Sequence, residues 1–182
     1  RGTHDPHRPP GRRSRGELVA RFLTGELPID DYLDDVVARS PEYGGFNLLV
    51  GNLHELWHFN ARESEAVLLQ PGIYGVSNAS LDTPWPKLIK AKAALGKVLD
   101  DPQPQALLDL LSDPQTAPFA ELPDTGVGLA TETLLSSVFI ASQSYGTRAS
   151  TALIVHADGS RHLVERSFGP YGGHLGEIEI RL

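Results

Sequence analysis

The segment Thr151-Ala152-Leu153-Ile154-Val155 is apolar at both alternating sets of positions, so a strand here has no polar side to turn to water. Such a strand must be covered on both faces, which places it inside a layered structure. Asp158-Gly159 follows it as a two-residue hairpin turn, and residues 160–168 return as an antiparallel neighbour. Residues 175–182 supply a further strand, in which Gly176, Ile178, Ile180 and Leu182 face one way and Glu177, Glu179 and Arg181 the other. That alternation predicts one wet side. A short strand over residues 137–141 is expected ahead of this group.

Toward the start, the spacing of apolar residues becomes helical. Ser14-Arg15-Gly16-Glu17 has the form of a capping box, with Leu18, Val19, Phe22 and Leu23 behind it and Gly25 where a C-terminal cap belongs. Pro28 suits the first turn of a second helix, whose stripe of Ile29, Leu33, Val36 and Val37 stops at Ser40-Pro41. Residues 46–50 then form a short apolar run ended by Gly51-Asn52, a hairpin signal. Residues 53–60, 65–69 and 73–76 continue as strands. Thr83-Pro84 opens a helix to about Leu99 that carries all four lysines, Lys87, Lys90, Lys92 and Lys97. A shorter helix spans 103–111, and a connection rich in Pro, Asp and Gly leads to about Leu129.

Helices, strands, helices, strands, with hairpin turns between strands, predict an α+β sandwich of antiparallel sheets and not alternating βαβ units. No Gly-rich loop follows a strand, so a nucleotide-binding fold has nothing to rest on. The 182 residues suit one domain, and no run approaches the roughly 20 apolar residues of a membrane span. The absence of cysteine excludes a disulfide framework, a thiolate metal site and a cysteine nucleophile within these residues.

Charge is unevenly placed. The net charge is −7, yet residues 1–15 carry five arginines against Asp5 alone. Residues 1–13 read as a basic, Pro-rich opening loop and 14–182 as the domain. No aromatic residue interleaves with the arginines to stack on bases, and the acidic body argues against a nucleic-acid partner. No apolar stretch follows the arginines as a secretory signal would require, and the simplest expectation is a cytoplasmic bacterial protein. The chain holds no methionine and opens with Arg1, which reads as part of a longer protein.

His54-Glu55-Leu56-Trp57-His58 matches the H-E-x-x-H zinc-protease pattern letter for letter. That chemistry needs a helix, where positions i and i+4 share a face and can close on one ion. The hairpin signal before it and the aromatic residues in it argue for a strand. There the two Cα atoms would stand about 13 Å apart, too far to chelate one metal. No metal or cofactor is assigned. Asn78, at the end of the segment 71–80, is a candidate oxyanion donor or else a turn asparagine bonding its own backbone. Arg148, ahead of the apolar strand, could orient a carboxylate or carbonyl through its fork of donors, or be a surface arginine.

Four segments, RGELVARFLTGEL, GFNLLVGNL, PGIYGVSNASLDTPWPKL and SYGTRASTALIVHADG, resemble in order and spacing the NRDE family, the transport and Golgi organisation proteins and their bacterial relatives. The similarity runs from about Ser14 to Phe168. That family in turn resembles the N-terminal nucleophile hydrolases, which implies a four-layer αββα sandwich present here as its C-terminal two-thirds. In those enzymes the first residue of the mature chain, often Cys, attacks an amide carbonyl while its own α-amino group, with a pKa of about 7.7–8, serves as base. The resemblance implies that Asn78 is the oxyanion-side amide and Arg148 the arginine beside the nucleophile, both lining one cleft. It assigns Tyr74, Ser77, Tyr145 and Thr147 to substrate binding.

The family's terminal cysteine and its Asn-Arg-Asp-Glu motif lie in a leading segment not among these residues, and Arg1 has no nucleophilic side chain. The isolated piece is therefore expected to be inactive, with that leading segment as its first partner. The expected function is hydrolysis of a non-peptide C–N amide bond. The alternative is a non-catalytic carrier that uses the same cleft for a hydrophobic acyl-like or haem-like ligand.

Overall fold

A computed structural model describes residues 13–182, so the opening loop lies outside the described residues except for Arg13. These residues belong to two compact units. One runs to Gly72 and includes Val76–Leu81; the other joins Ile73–Gly75 to Asp82–Leu182. Both are mixed helix and antiparallel sheet, which agrees with the α+β, antiparallel part of the expected fold.

The first unit contains α1 (Gly16–Thr24), α2 (Ile29–Arg39), and the strands β1 (Asn47–Gly51), β2 (Leu56–Asn60) and β3 (Glu65–Leu68), paired antiparallel in that order. Alternate residues Leu48, Val50 and Phe59 turn one face of this sheet toward the helices, where they are buried with Leu18, Ile29, Leu33 and Val36. Tyr32 is buried in the same core, and its hydroxyl donates to the Leu18 carbonyl at 2.5 Å, joining α2 to α1. Asp35 forms ion pairs with Arg21 and Arg39, each at 2.8 Å, on the margin of that packing.

The capping box does not form. Ser14 offers only its backbone carbonyl to the Glu17 N–H, at 3.2 Å. Glu17 instead meets Arg13 at 2.7 Å and accepts from the Tyr43 hydroxyl, so a tertiary network takes the carboxylate that a local cap would have used. Gly25 ends α1 in extended and not left-handed backbone, with φ −89°.

The second unit contains α3 (Pro86–Gly96), α4 (Pro104–Leu110) and α5 (Leu129–Leu135), then β4 (Ala149–Val155), β5 (Arg161–Phe168) and β6 (His174–Arg181), again antiparallel in sequence order. Leu108 of α4 is buried against Ala152 and Val164, which covers one sheet face. On the other face Leu153, Leu163 and Ile180 form a cross-strand row, and Ile178 lies one row along. Leu153 is 55% exposed and Ile178 60%. Each unit is thus a helix layer on a sheet, and the second sheet has a bare apolar face.

Several expectations need correction. Residues 73–76 form no strand, and α3 stops at Gly96, short of Leu99. Residues 137–141 are not a strand either. Ser137 donates its hydroxyl to the Phe139 carbonyl at 2.8 Å, and the Phe139 N–H goes to the Asp113 carbonyl at 2.8 Å, leaving one isolated bridge from Ala141 to Gly146. α5 begins where the expected Pro/Asp/Gly-rich connection ends, over residues to which the sequence reading assigns no element. The Glu177, Glu179 and Arg181 side of β6 is exposed, as the alternation predicts, with Glu177 and Glu179 paired to Arg166 and His162 at 2.9 and 2.8 Å, but Ile178 and Ile180 on the opposite side are exposed as well. Among the described residues no helix is long and apolar enough to cross a membrane.

Candidate functional site

The loop that carries Asn78 begins after Gly75 and ends at Asp82. These two residues exchange hydrogen bonds at its base. The Asp82 N–H donates to the Gly75 carbonyl, and the Gly75 N–H donates to Asp82 Oδ1, both at 2.8 Å. Lys92 also donates to Asp82 Oδ1 at 2.7 Å, and this partner, with the Gly75 N–H, holds the carboxyl below its ordinary range. A side chain at position 75 is excluded, because a Cβ there would stand 2.6 Å from Cγ of the buried Leu88.

Within the first unit one side-chain amide clamps the loop around Asn78. Asn47 Nδ2 donates to the Ser77 carbonyl at 3.1 Å and to the Ala79 carbonyl at 3.0 Å. Its Oδ1 accepts from Asn60 Nδ2 at 3.0 Å and lies 3.0 Å from His58 Nε2. Both donors and both lone pairs of one amide are therefore used. Asn60 completes the arrangement by accepting the Arg62 N–H at 2.8 Å. His58 and Asn60 are 2% and 3% exposed, so the network is dry and its geometry is firm. Asn78 itself is exposed, and its side-chain amide has no hydrogen-bond partner among the described residues. The clamp thus fixes the peptide on both sides of Asn78 and leaves its amide free to donate.

His58 is the second histidine of the H-E-x-x-H pattern. The pattern lies on a turn and a strand: Asn52 Oδ1 accepts the N–H groups of His54 and Glu55 at 2.8 and 3.1 Å, and Leu56 begins β2. The strand setting expected for the pattern holds, with a start later than residue 53. His54 is exposed on the turn, while His58 is buried and committed to Asn47. Accepting from His58 at Oδ1 requires the proton on Nε2, the tautomer of a neutral ring with a bare Nδ1. Burial lowers the His58 pKa from its usual 6.5, opposed weakly by Glu63.

That shift has a sign. The native state disfavours the imidazolium, so the stability His58 contributes is complete above about pH 6.5, its unfolded value, and is lost as pH falls toward the lowered native value. The urea midpoint should therefore decline between pH 6.5 and 5, and His58→Gln, which can still donate to Asn47, should flatten that decline. Asp82, Asp113, Glu177 and Glu179 are carboxyls with lowered values, and their losses come at lower pH, below about 4.5.

Arg148 belongs to the second unit, at the end of a loop built around Gly146. The Thr147 N–H donates to the Ile140 carbonyl at 2.8 Å, and the Ile140 N–H returns to Thr147 Oγ1 at 3.0 Å. A Cβ on Gly146 would stand 2.6 Å from the Ile140 carbonyl oxygen, so this close approach requires glycine. The Arg148 carbonyl accepts from the Phe168 N–H at 2.8 Å, tying the residue to β5. Its guanidinium is exposed and makes no ion pair among the described residues.

Of the four residues assigned to substrate binding, Ser77 uses its carbonyl on Asn47 and is half-buried, while Tyr74 is partly exposed. Thr147 spends its hydroxyl on Ile140, and Tyr145 is exposed, with its carbonyl accepting from the Ser142 hydroxyl. Ser77 and Asn78 fall in the first unit; Tyr74, Tyr145, Thr147 and Arg148 fall in the second. Asn47 and Asn60 were missed at the level of sequence. The available signal was an asparagine in each of two strands, where the type is depleted, and the two sit opposite each other in the register.

The profile of the Transport and Golgi organisation 2 family matches residues 1–170. The Transport and Golgi organization protein 2 homolog of Bos taurus is 37% identical, over 85% of this chain and 62% of its own length. The Homo sapiens homolog is 34% identical over the same shares, and the Mus musculus homolog 31% identical over 89% and 64%. The chain therefore spans less than two-thirds of the length of these relatives.

Proposed function

From the premise that the chain belongs to the Transport and Golgi organisation 2 family, we propose that it is the larger part of an N-terminal-nucleophile-type amidohydrolase with a four-layer αββα architecture. In this reading the bare apolar sheet face in the second unit, with Leu153, Ile178 and Ile180, is an inner face of such a sandwich. The reaction is hydrolysis of a non-peptide C–N amide bond. A leading segment supplies a cysteine whose thiol gives its proton to its own α-amino group and attacks the carbonyl carbon; the C–N bond then breaks, the amine leaves with that proton, and water cleaves the acyl-enzyme thioester to release the acid. Asn78 donates to the oxyanion and Arg148 orients the nucleophile or the substrate.

The observation that carries this reading is the clamp on Asn78. A donor is most effective when its position is set before charge develops, because no reorganisation is then required in the transition state. Asn47 holds both carbonyls that flank Asn78, so the backbone that carries the donor is fixed while its amide stays unengaged among the described residues. The free guanidinium of Arg148 on a tightly bonded loop supports it.

The second reading is a non-catalytic carrier of a hydrophobic acyl-like or haem-like ligand, which the bare face of the second sheet favours. The relatives' names speak of transport, in keeping with that alternative. One experiment separates the two. The full-length protein is assayed on a panel of small amides, with its leading cysteine intact and replaced by alanine. Hydrolysis is expected to vanish in the variant while ligand binding persists. If no amide is cleaved by the intact protein and an apolar ligand co-purifies with it, the carrier reading replaces the hydrolase.

A further inference from the structure

A cleft of about 690 Å³ lies wholly within the second unit, between α3 and the segments 115–118 and 136–138. Pro84, Pro86, Ile89, Pro118 and Val138 give it apolar walls. Two lysines from the first turns of α3 reach it, and they differ in a way that matters. Lys90 is in contact with the Asp113 carboxylate and donates to Gln115 Oε1 at 2.9 Å, so its charge is already matched.

Lys87 has no carboxylate in contact among the described residues. Its Nζ donates to the Leu135 carbonyl at 2.8 Å and stands 5.6 Å from the centre of the Trp85 ring. Glu132 acts on it only through space, with no ion pair between the two, and Glu132 Oε1 accepts from the N–H and hydroxyl of Thr125 at 2.7 and 2.6 Å. Burial holds the Lys87 ammonium below the usual lysine range, with Glu132 opposing. A cation withdrawn from water without a counter-ion in contact is costly, and this one lines an open cleft. The exposed Glu121 on the same lining disfavours a polyanion.

We propose that this cleft binds a small organic monoanion, one carboxylate on an apolar body, with the carboxylate paired to Lys87 Nζ and the body against Pro84, Pro86 and Pro118. The site is independent of the Asn78 and Arg148 reading and stands if that reading fails. Concave sites with apolar walls and one charged group that fixes orientation are the usual form of small-ligand pockets.

The test titrates 2-naphthoate and its neutral analogue 2-naphthamide into the full chain by calorimetry, with amide chemical shifts mapping the site. The carboxylate should bind about tenfold more tightly than the amide. Shifts should concentrate at Lys87, Ala117 and Val138. Lys87→Gln keeps a donor for the Leu135 carbonyl but removes the charge, so 2-naphthoate should weaken about tenfold, to the level of 2-naphthamide, whose affinity stays unchanged. Lys97→Gln, away from the cleft, should alter neither. Equal binding of the two probes, no binding of 2-naphthoate, or shifts confined to other surfaces would overturn the proposal. Should Lys87→Gln fail to fold, the two-probe comparison and shift map on the unmodified chain decide alone.

Discussion

Asn78→Ala should lower kcat of the full-length protein on a cleaved amide by about 10²–10³, with little change in KM. The direction follows from where the residue stands. Its side chain is exposed and its peptide is held on both sides by Asn47, so removing the amide takes away a donor and disturbs little of the packing. An interaction made only as charge develops on the carbonyl oxygen changes kcat and leaves ground-state binding alone. Asn78→Asp is the sharper variant, because it keeps the size and puts negative charge where the oxyanion would form; its loss should be at least as large. The thermal midpoint of both variants should stay near that of the parent, which separates a lost donor from a damaged fold. Pairing Asn78→Ala with Arg148→Ala tests whether both serve one reaction. Groups that act as a unit lose less together than the sum of their single losses. Full additivity would uncouple Asn78 from Arg148, and an unchanged kcat in Asn78→Ala would remove Asn78 from the chemistry.

Asn47→Asp should destabilise the first unit by about 3 kcal/mol, the largest stability change expected from a single near-isosteric substitution here. The change costs both donors to the Ser77 and Ala79 carbonyls and sets a carboxylate oxygen against them. Each lost hydrogen bond is worth about 1 kcal/mol net, and desolvating the new charge adds to the loss. Asn47→Ala leaves the same carbonyls unmet without adding charge, so its loss should be smaller. Urea unfolding followed by fluorescence of Trp57, in a Trp85→Phe background, reads both variants. Hydrogen exchange at residues 77–79 should rise in each, because the clamp is what holds that stretch of backbone. The new carboxylate beside His58 would also stabilise its imidazolium, so Asn47→Asp should shallow the decline in stability between pH 6.5 and 5. A fully retained stability and unchanged exchange would show that the loop is held by other means.

The comparison of sequence with structure turns on which residues take their conformation from neighbours along the chain. The stripe from Ile29 to Val36, the apolar run around Leu48 and Val50, and the place of the turn at Asp158-Gly159 were legible because the signal is local, although that turn is a three-residue loop, 157–159, closed by the His156 N–H to the Ser160 carbonyl, and not the two-residue turn expected. Hydrophobic spacing and turn chemistry are written within a few residues of where they act. The strand that carries Leu56 to His58 of the H-E-x-x-H pattern was legible for the same reason, from the aromatic residues Trp57 and Phe59, whereas His54 and Glu55, expected on the strand, lie in the turn held by Asn52. The four segments that carry the family resemblance lie within the match over residues 1–170.

Other features were set by partners distant in the chain. Glu17 has the spacing of a capping residue, yet Tyr43 and Arg13 claim it. Residues 137–141 have the composition of a strand, but Asp113 and Thr147 take the N–H groups of Phe139 and Ile140 that a ladder would need. Asn47 is an unremarkable letter in an apolar run, and only the pairing of β1 with β2 brings it to Asn60, His58 and the carbonyls beside Asn78. The sequence by itself determined α1 to α4, the main hairpins and the apolar faces, because those arise from short-range periodicity and sterics. The tertiary structure alone decided which polar groups satisfy one another. A buried hydrogen bond depends on where two distant backbones finally lie, and no local pattern encodes that.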